Sequence, residues 1–327
     1  MRPFAQRLSM PLLIATALGA VALFARSAIE PVRVFVTCEK AGALAIIDSG
    51  RDEVVATVPL EGRARGVRVA PDGRVLVAVS RWPGAREREA VLVVDPTTNR
   101  VVSRLDAGTD PENLALAAGK VYVSNEDAGT LTVVSLTDGR RLASLRLGAE
   151  PAGVAATPDG SLVLATSESE DLVTFVTTKD DIAVVRLRVP GGPRGVAFTP
   201  DGARAFVTCE NGHSVAVVDM KRRRLAGSVE LEEAEKPAGV ALSADGSRLF
   251  VTTGRGSLRA FDRSTLGPRG SLGVDGRPWG VASTPDGRKI YTANGLTNAV
   301  AVVDASTFGL VKTIGLGEGP WGVAVSP

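Results

Sequence analysis

The sequence is poor in the side chains that carry most enzyme chemistry. Its 327 residues include one histidine, two cysteines, two tyrosines and three tryptophans, and aromatic residues make up 4%. A single histidine, His213, leaves no companions for a His-rich zinc or iron centre. No nucleotide loop, Ser-His-Asp spacing, zincin or EF-hand pattern is present. Charge of one sign is also missing: 38 Lys and Arg against 36 Asp and Glu give +2, and without Arg2, Arg7 and Arg26 the balance is −1. Nucleic acid as a partner therefore has no electrostatic support. The basic run Arg222-Arg223-Arg224 reads as a solvated turn.

One charge-free apolar run stands out, Met10 to Ala25, preceded by Arg2 and Arg7 and followed by Arg26-Ser27-Ala28. Basic, apolar and small residues in that order make a secretory signal. Residues 1–27 are thus expected to be a signal peptide or a retained membrane anchor, and the protein is expected in the periplasm or outside the cell. The run is about 16 residues, short for a full bilayer span. Membrane contact is expected only if this segment is retained. Residues 28–327 are expected to form a single domain.

What the chain does have is a repeat. Gly66, Asn113, Gly153, Gly195, Gly239, Gly280 and Gly322 open successive units, at spacings of 47, 40, 42, 44, 41 and 42 residues. A period near 42 with Asp-Gly turns marks a repeat architecture. In the last full unit four strands are predicted, Gly280–Ser283, Lys289–Thr292, Ala299–Val303 and Leu310–Ile314, with a tight turn at Pro285-Asp286-Gly287. One such unit cannot bury both faces, whereas stacking units around an axis can. The final unit stops after Trp321–Ser326, while Val32–Thr37, Ala43–Ile47 and Glu53–Val58 read as a second, third and fourth strand without a first. The fold class predicted is all-β: a seven-bladed β-propeller of four-stranded antiparallel blades, its closing blade built from both termini.

Repeat position separates scaffold from candidate site. Asp48, Asp95, Asp219, Asp262 and Asp304 all end a third strand, where their oxygens suit the amides of the following turn. Cys38 and Cys209 hold equivalent positions in blades across the ring, so two free thiols are expected. Loops before each first strand and after each second strand share one face, here termed upper. All three tryptophans map there. Aromatic and arginine side chains dominate binding hot spots. The predicted binding surface comprises Arg65, Trp82, Trp279 and Trp321, with Arg194, Glu210 and His213 across the mouth. Glu39, Glu126, Glu168 and Glu210 recur at one blade position and read as rim carboxylates paired with Arg65 and Arg194. No catalytic residue, metal ligand or cofactor is predicted.

The units Lys120-Val-Tyr-Val-Ser-Asn125 and Lys289-Ile-Tyr-Thr-Ala-Asn294, with Gly-Pro-Trp-Gly-Val and Pro-Asp-Gly, resemble the YVTN β-propeller repeat family over about residues 32–327. The chain is also similar to exported propellers associated with pyrroloquinoline-quinone-dependent catabolism. These resemblances imply the fold and export, but no catalytic residues. The first functional expectation is a monomeric, non-catalytic propeller that recognises an exported protein or small ligand, in periplasmic redox metabolism. The alternative is a lactonase-like hydrolase or a haem d1-type cofactor-binding propeller. Haem d1 propellers use several histidines, where this chain offers His213. Gluconolactonase-type enzymes use a patterned histidine, arginine and glutamate set not matched residue by residue here.

Overall fold

The computed structural model describes residues 32–83 and 89–327. The expected signal or anchor, residues 1–27, lies outside the described residues, as does most of the long loop of the first full blade. The described chain forms seven four-stranded antiparallel sheets: blades 1 to 6 in chain order, with first strands Arg63–Val69, Pro111–Ala117, Pro151–Ala156, Pro193–Phe198, Pro237–Leu242 and Pro278–Ser283, and a closing blade. The closing blade runs from Pro320–Val325 outward through Arg33–Cys38 and Ala43–Asp48 to Glu53–Pro59. Val34 faces Val325 and Val36 faces Val323 in that register, so the chain ends close the ring by direct pairing. The predicted strands are thus found, with ends moved by one or two residues.

Side-chain alternation on the middle strands builds the core. In the closing blade, Phe35, Leu44 and Ile46 pack towards blade 1, against Val75, Val77 and Leu92. Their neighbours Val34, Val36, Ala45 and Ile47 pack the other way, against Tyr291, Val300 and Val302 of blade 6. Each sheet is thus buried on both faces, and each fully buried Phe or Leu contributes about 1.5–3 kcal/mol. The outermost strands face solvent on most residues, as in Arg100–Asp106.

Two recurring polar devices fix one blade to the next. The first explains the Lys-x-Tyr motif. Lys289 and Tyr291 both bond to Asp52 of the closing blade, at 2.7 and 2.6 Å. Lys120 and Tyr122 of blade 2 do the same to Asp181 of blade 3, each at 2.7 Å. The second device lies at the axis. In five blades a hydroxyl near the end of the second strand accepts from an amide of its own first strand and donates to a carbonyl of the next blade. Thr166 accepts from Gly153 N at 2.7 Å and donates to Arg194 O at 3.1 Å. Thr208 links Gly195 to Ala238 O, Thr252 links Gly239 to Trp279 O, Thr37 links Gly322 to Arg65 O, and Ser124 links Asn113 to Ala152 O.

These staples bring the inner strands so close that the leading glycines are obligatory. A Cβ on Gly153 would sit 1.8 Å from Arg194 O, and one on Gly239 would sit 2.3 Å from Trp279 O.

The lower face carries the turns. In blade 6, Asp286 Oδ1 accepts from Thr284 Oγ1 at 2.5 Å and from Arg288 N at 3.0 Å, and Gly287 takes a φ of +70°. Blade 2 replaces this turn with the shorter Ala118-Gly119 hairpin, both residues at positive φ. The strand-ending aspartates cap turn amides as expected: Asp304 Oδ1 accepts from Ser306 N and Thr307 N, each at 2.8 Å. Cys38 and Cys209 are free and buried. Burial pushes the Cys38 thiol up to about 11 and the Cys209 thiol up to about 12.

Candidate functional site at the upper mouth of the axial channel

The seven inner strands enclose an axial channel with a cavity of about 110 Å³. Its walls are mostly glycine and valine from the stapled strands, which leaves few positions for chemistry. The residue preceding each opening glycine, or its equivalent, points at the upper rim. Glu112, Arg194, Trp279 and Trp321 occupy four of these positions and line the channel.

A network of charges surrounds them. Arg65, only 6% exposed, donates to Glu39 at 3.1 Å, and its Nη1 lies 2.8 Å from both Glu112 and Glu126. Arg194 lies 2.8 Å from Glu168, 3.8 Å from Glu112 and 2.5 Å from Glu210. The contact between Arg194 Nε and Glu210 is one of charge, since neither atom has hydrogen-bond geometry there. Arg277 completes the arc, 2.6 Å from Glu210 and 4.1 Å above the Trp279 ring, with the Arg194 guanidinium 5.3 Å from the same ring. A guanidinium over an indole face gains from the ring quadrupole.

Burial sets the protonation of this network. Desolvation first, and then the hydrogen bond to Glu126, push Glu112 well above the usual carboxylate range. That hydrogen bond and Arg65 hold Glu126 below it. The two carboxyls titrate as a pair, with Glu112 the more readily protonated member. Glu168 is also raised, mainly by burial and further by Glu210, despite the pull of Arg194. The mouth therefore places two carboxyls raised by burial, Glu112 and Glu168, on one guanidinium, that of Arg194.

The sequence-predicted residues divide. Arg65, Arg194, Glu210, Trp279 and Trp321 come together at the mouth, both indoles partly exposed. Two lie apart from this cluster. Trp82 lies against Gly42 of the closing blade, outside the channel lining. His213 holds a φ of +48° in its turn, where its carbonyl accepts from Leu231 N. It is not among the residues that line the channel. Sequence reasoning missed the roles of Glu112, Arg277 and Arg68. The recurring carboxylates are distributed as rim partners, Glu39 and Glu126 on Arg65, Glu168 and Glu210 on Arg194. Among the described residues, no group of three or more His, Cys, Asp or Glu is arranged to hold a metal ion.

Residues 148–312, just over half of the chain, match the family described as lactonase, seven-bladed β-propeller. The chain belongs to this lactonase family. Membership backs the alternative expectation, a lactonase-like hydrolase, better than a non-catalytic scaffold. Among solved structures, the chain is similar to a putative 6-phosphogluconolactonase from Bacteroides fragilis, at 18% identity and TM-score 0.77, covering 92% of this chain and 99% of that one. A second putative 6-phosphogluconolactonase, from Bacteroides uniformis, matches at 18% identity and TM-score 0.75, covering 90% and 99%. A chain of Kuenenia stuttgartiensis hydrazine synthase matches at 19% identity and TM-score 0.72, covering 80% and 89%. At such identities these likenesses show the fold alone. No curated protein matches the sequence.

Proposed function

We propose that this lactonase-family propeller hydrolyses a small lactone at its upper mouth. The observation that carries the reading is the placement of two raised carboxyl groups on one guanidinium: Arg194 lies 3.8 Å from Glu112 and 2.8 Å from Glu168. Opening a cyclic ester needs a base for water, positive charge for the carbonyl oxygen, and an acid for the leaving ring oxygen. Glu168 takes the proton of the attacking water. Arg194 faces the negative charge that grows on the carbonyl oxygen. Glu112, which holds its proton, protonates the ring oxygen as the ring C–O bond breaks. The new bond is from the water oxygen to the carbonyl carbon, and the product is a hydroxy acid. Glu168 then returns its proton to solvent and Glu112 recovers one. Trp279 and Trp321 supply flat apolar faces for the lactone ring. The basic, apolar and small order of residues 1–27 supports hydrolysis outside the cytoplasm.

The test is proton release from a panel of γ- and δ-lactones, glucono-δ-lactone included, with wild type and Glu168→Gln. Turnover above buffer, lowered about 10²-fold or more in a folded Glu168→Gln variant, is expected. Absence of turnover on every lactone, or full activity in the variant, would overturn the reading.

A further inference from the structure

One arginine of the channel is treated differently from all the others at the mouth. Two residues beyond each opening position, the chain reads Arg68, Ala115, Ala155, Ala197, Ala241, Ala282 and Ala324. Six blades place a methyl group there, and Ala115 and Ala324 are buried in the inter-blade core. Only blade 1 breaks the column. Its guanidinium lines the axial channel instead, donating to Val67 O at 2.7 Å and to Val154 O of blade 3 at 3.4 Å.

Those carbonyls are neutral. Arg63, Arg65, Arg194 and Arg277 each have a carboxylate within 4 Å, whereas Arg68 forms no ion pair among the described residues. A guanidinium carries five N–H donors and cannot shed its charge at neutral pH. Burial lowers the Arg68 pKa to about 10, which still leaves it charged. A largely desolvated charge without a counter-ion is costly, and the two neutral carbonyls it bonds do not balance it. The channel beside it has a volume of about 110 Å³, room for a few non-hydrogen atoms.

We propose that the axial channel is a binding site for a compact carboxylate monoanion, held in the fork of the Arg68 guanidinium. Planar two-point pairing is the geometry in which guanidinium and carboxylate bind best. The cavity of about 110 Å³ suits a ligand as small as formate or acetate. The carboxylates of the rim, Glu39, Asp110, Glu126, Glu168 and Glu210, select against multiply charged anions on the way in. The site goes beyond the hydrolase reading and does not depend on it.

Calorimetric titration of the folded chain with formate and with acetate at fixed ionic strength tests the proposal, with sulfate as the divalent comparison. Saturable one-to-one binding of formate or acetate is expected, with sulfate at least tenfold weaker. Arg68→Ala, the side chain of the other six blades, is expected to keep the circular dichroism spectrum and lose binding at least tenfold. Arg68→Lys keeps the charge without the fork and is expected to bind severalfold more weakly. It carries the test should the alanine variant not fold. No saturable binding by wild type, sulfate binding as tightly as formate, or wild-type affinity in the folded variants would overturn the site.

Discussion

Replacing Gly153 by alanine adds one methyl group where two blades leave no room for it. Its Cβ would lie 1.8 Å from Arg194 O and 2.9 Å from Arg194 C, backbone atoms that cannot rotate aside. Ordinary contact needs well over 3 Å, so the inner strands of blades 3 and 4 would have to part by more than an ångström. The same movement would stretch the staple in which Thr166 Oγ1 accepts from Gly153 N at 2.7 Å and donates to Arg194 O at 3.1 Å. Overpacking of this kind costs about 1–3 kcal/mol, and loss of a buried hydrogen bond adds about 1 kcal/mol. A total near 3 kcal/mol is expected. Gly273→Ala is the control, because its new Cβ meets nothing within 4 Å. There, a change of under about 1 kcal/mol in the stabilising direction is expected. Urea unfolding followed by tryptophan fluorescence reads both variants. Equal stability of Gly153→Ala and wild type would refute the account of why the opening glycines recur.

Three further outcomes are expected. Tyr291→Phe removes the 2.6 Å bond to Asp52 while leaving Lys289 on the same carboxylate, and should cost about 1.5–3 kcal/mol in denaturant unfolding; a smaller loss than in an exposed control would contradict the latch. Burial raises both thiols, to about 11 for Cys38 and about 12 for Cys209, so a thiol reagent at pH 8 should find almost none in the folded protein and two per chain after unfolding. Arg277→Ala, which strips the guanidinium 4.1 Å above Trp279, should raise KM for a lactone severalfold with little change in kcat; a drop confined to kcat would place Arg277 in the chemistry.

The ring was legible because period, strand and turn signals agreed. The Pro-Asp-Gly turns fixed the hairpins, and the truncated units at the two ends implied one shared blade. The strand-ending aspartates were legible because their hydrogen bonds are local. The mouth was legible only in part. Arg65, Arg194, Glu210, Trp279 and Trp321 share the upper face by position in the repeat, so counting strands brings them together. Trp82 and His213 share that face too but do not line the channel, and distance from the axis is not written in a one-dimensional period. Glu112 was legible as an upper-face entry residue but not as an acid, because its raised pKa arises from burial beside Glu126 of its own blade and Arg65 of the preceding one. Arg68 had a signal, one arginine in a column of alanines, readable only after the repeats are aligned position by position.

The pH dependence of lactone hydrolysis tests the central claim most directly. Glu168 must be ionised to act as base, and burial raises it above the ordinary carboxylate range, so kcat/KM should rise with pH through a value above 4.5. Glu112 must keep its proton to act as acid and is raised well above 4.5, so kcat/KM should fall again at higher pH as that proton is lost. Glu112→Gln should remove the falling limb and lower the rate about 10²-fold. A bell that loses its upper limb in this variant is the result expected. A profile without either limb, or one unchanged by Glu112→Gln, would contradict the assignment of acid and base to these two carboxyls.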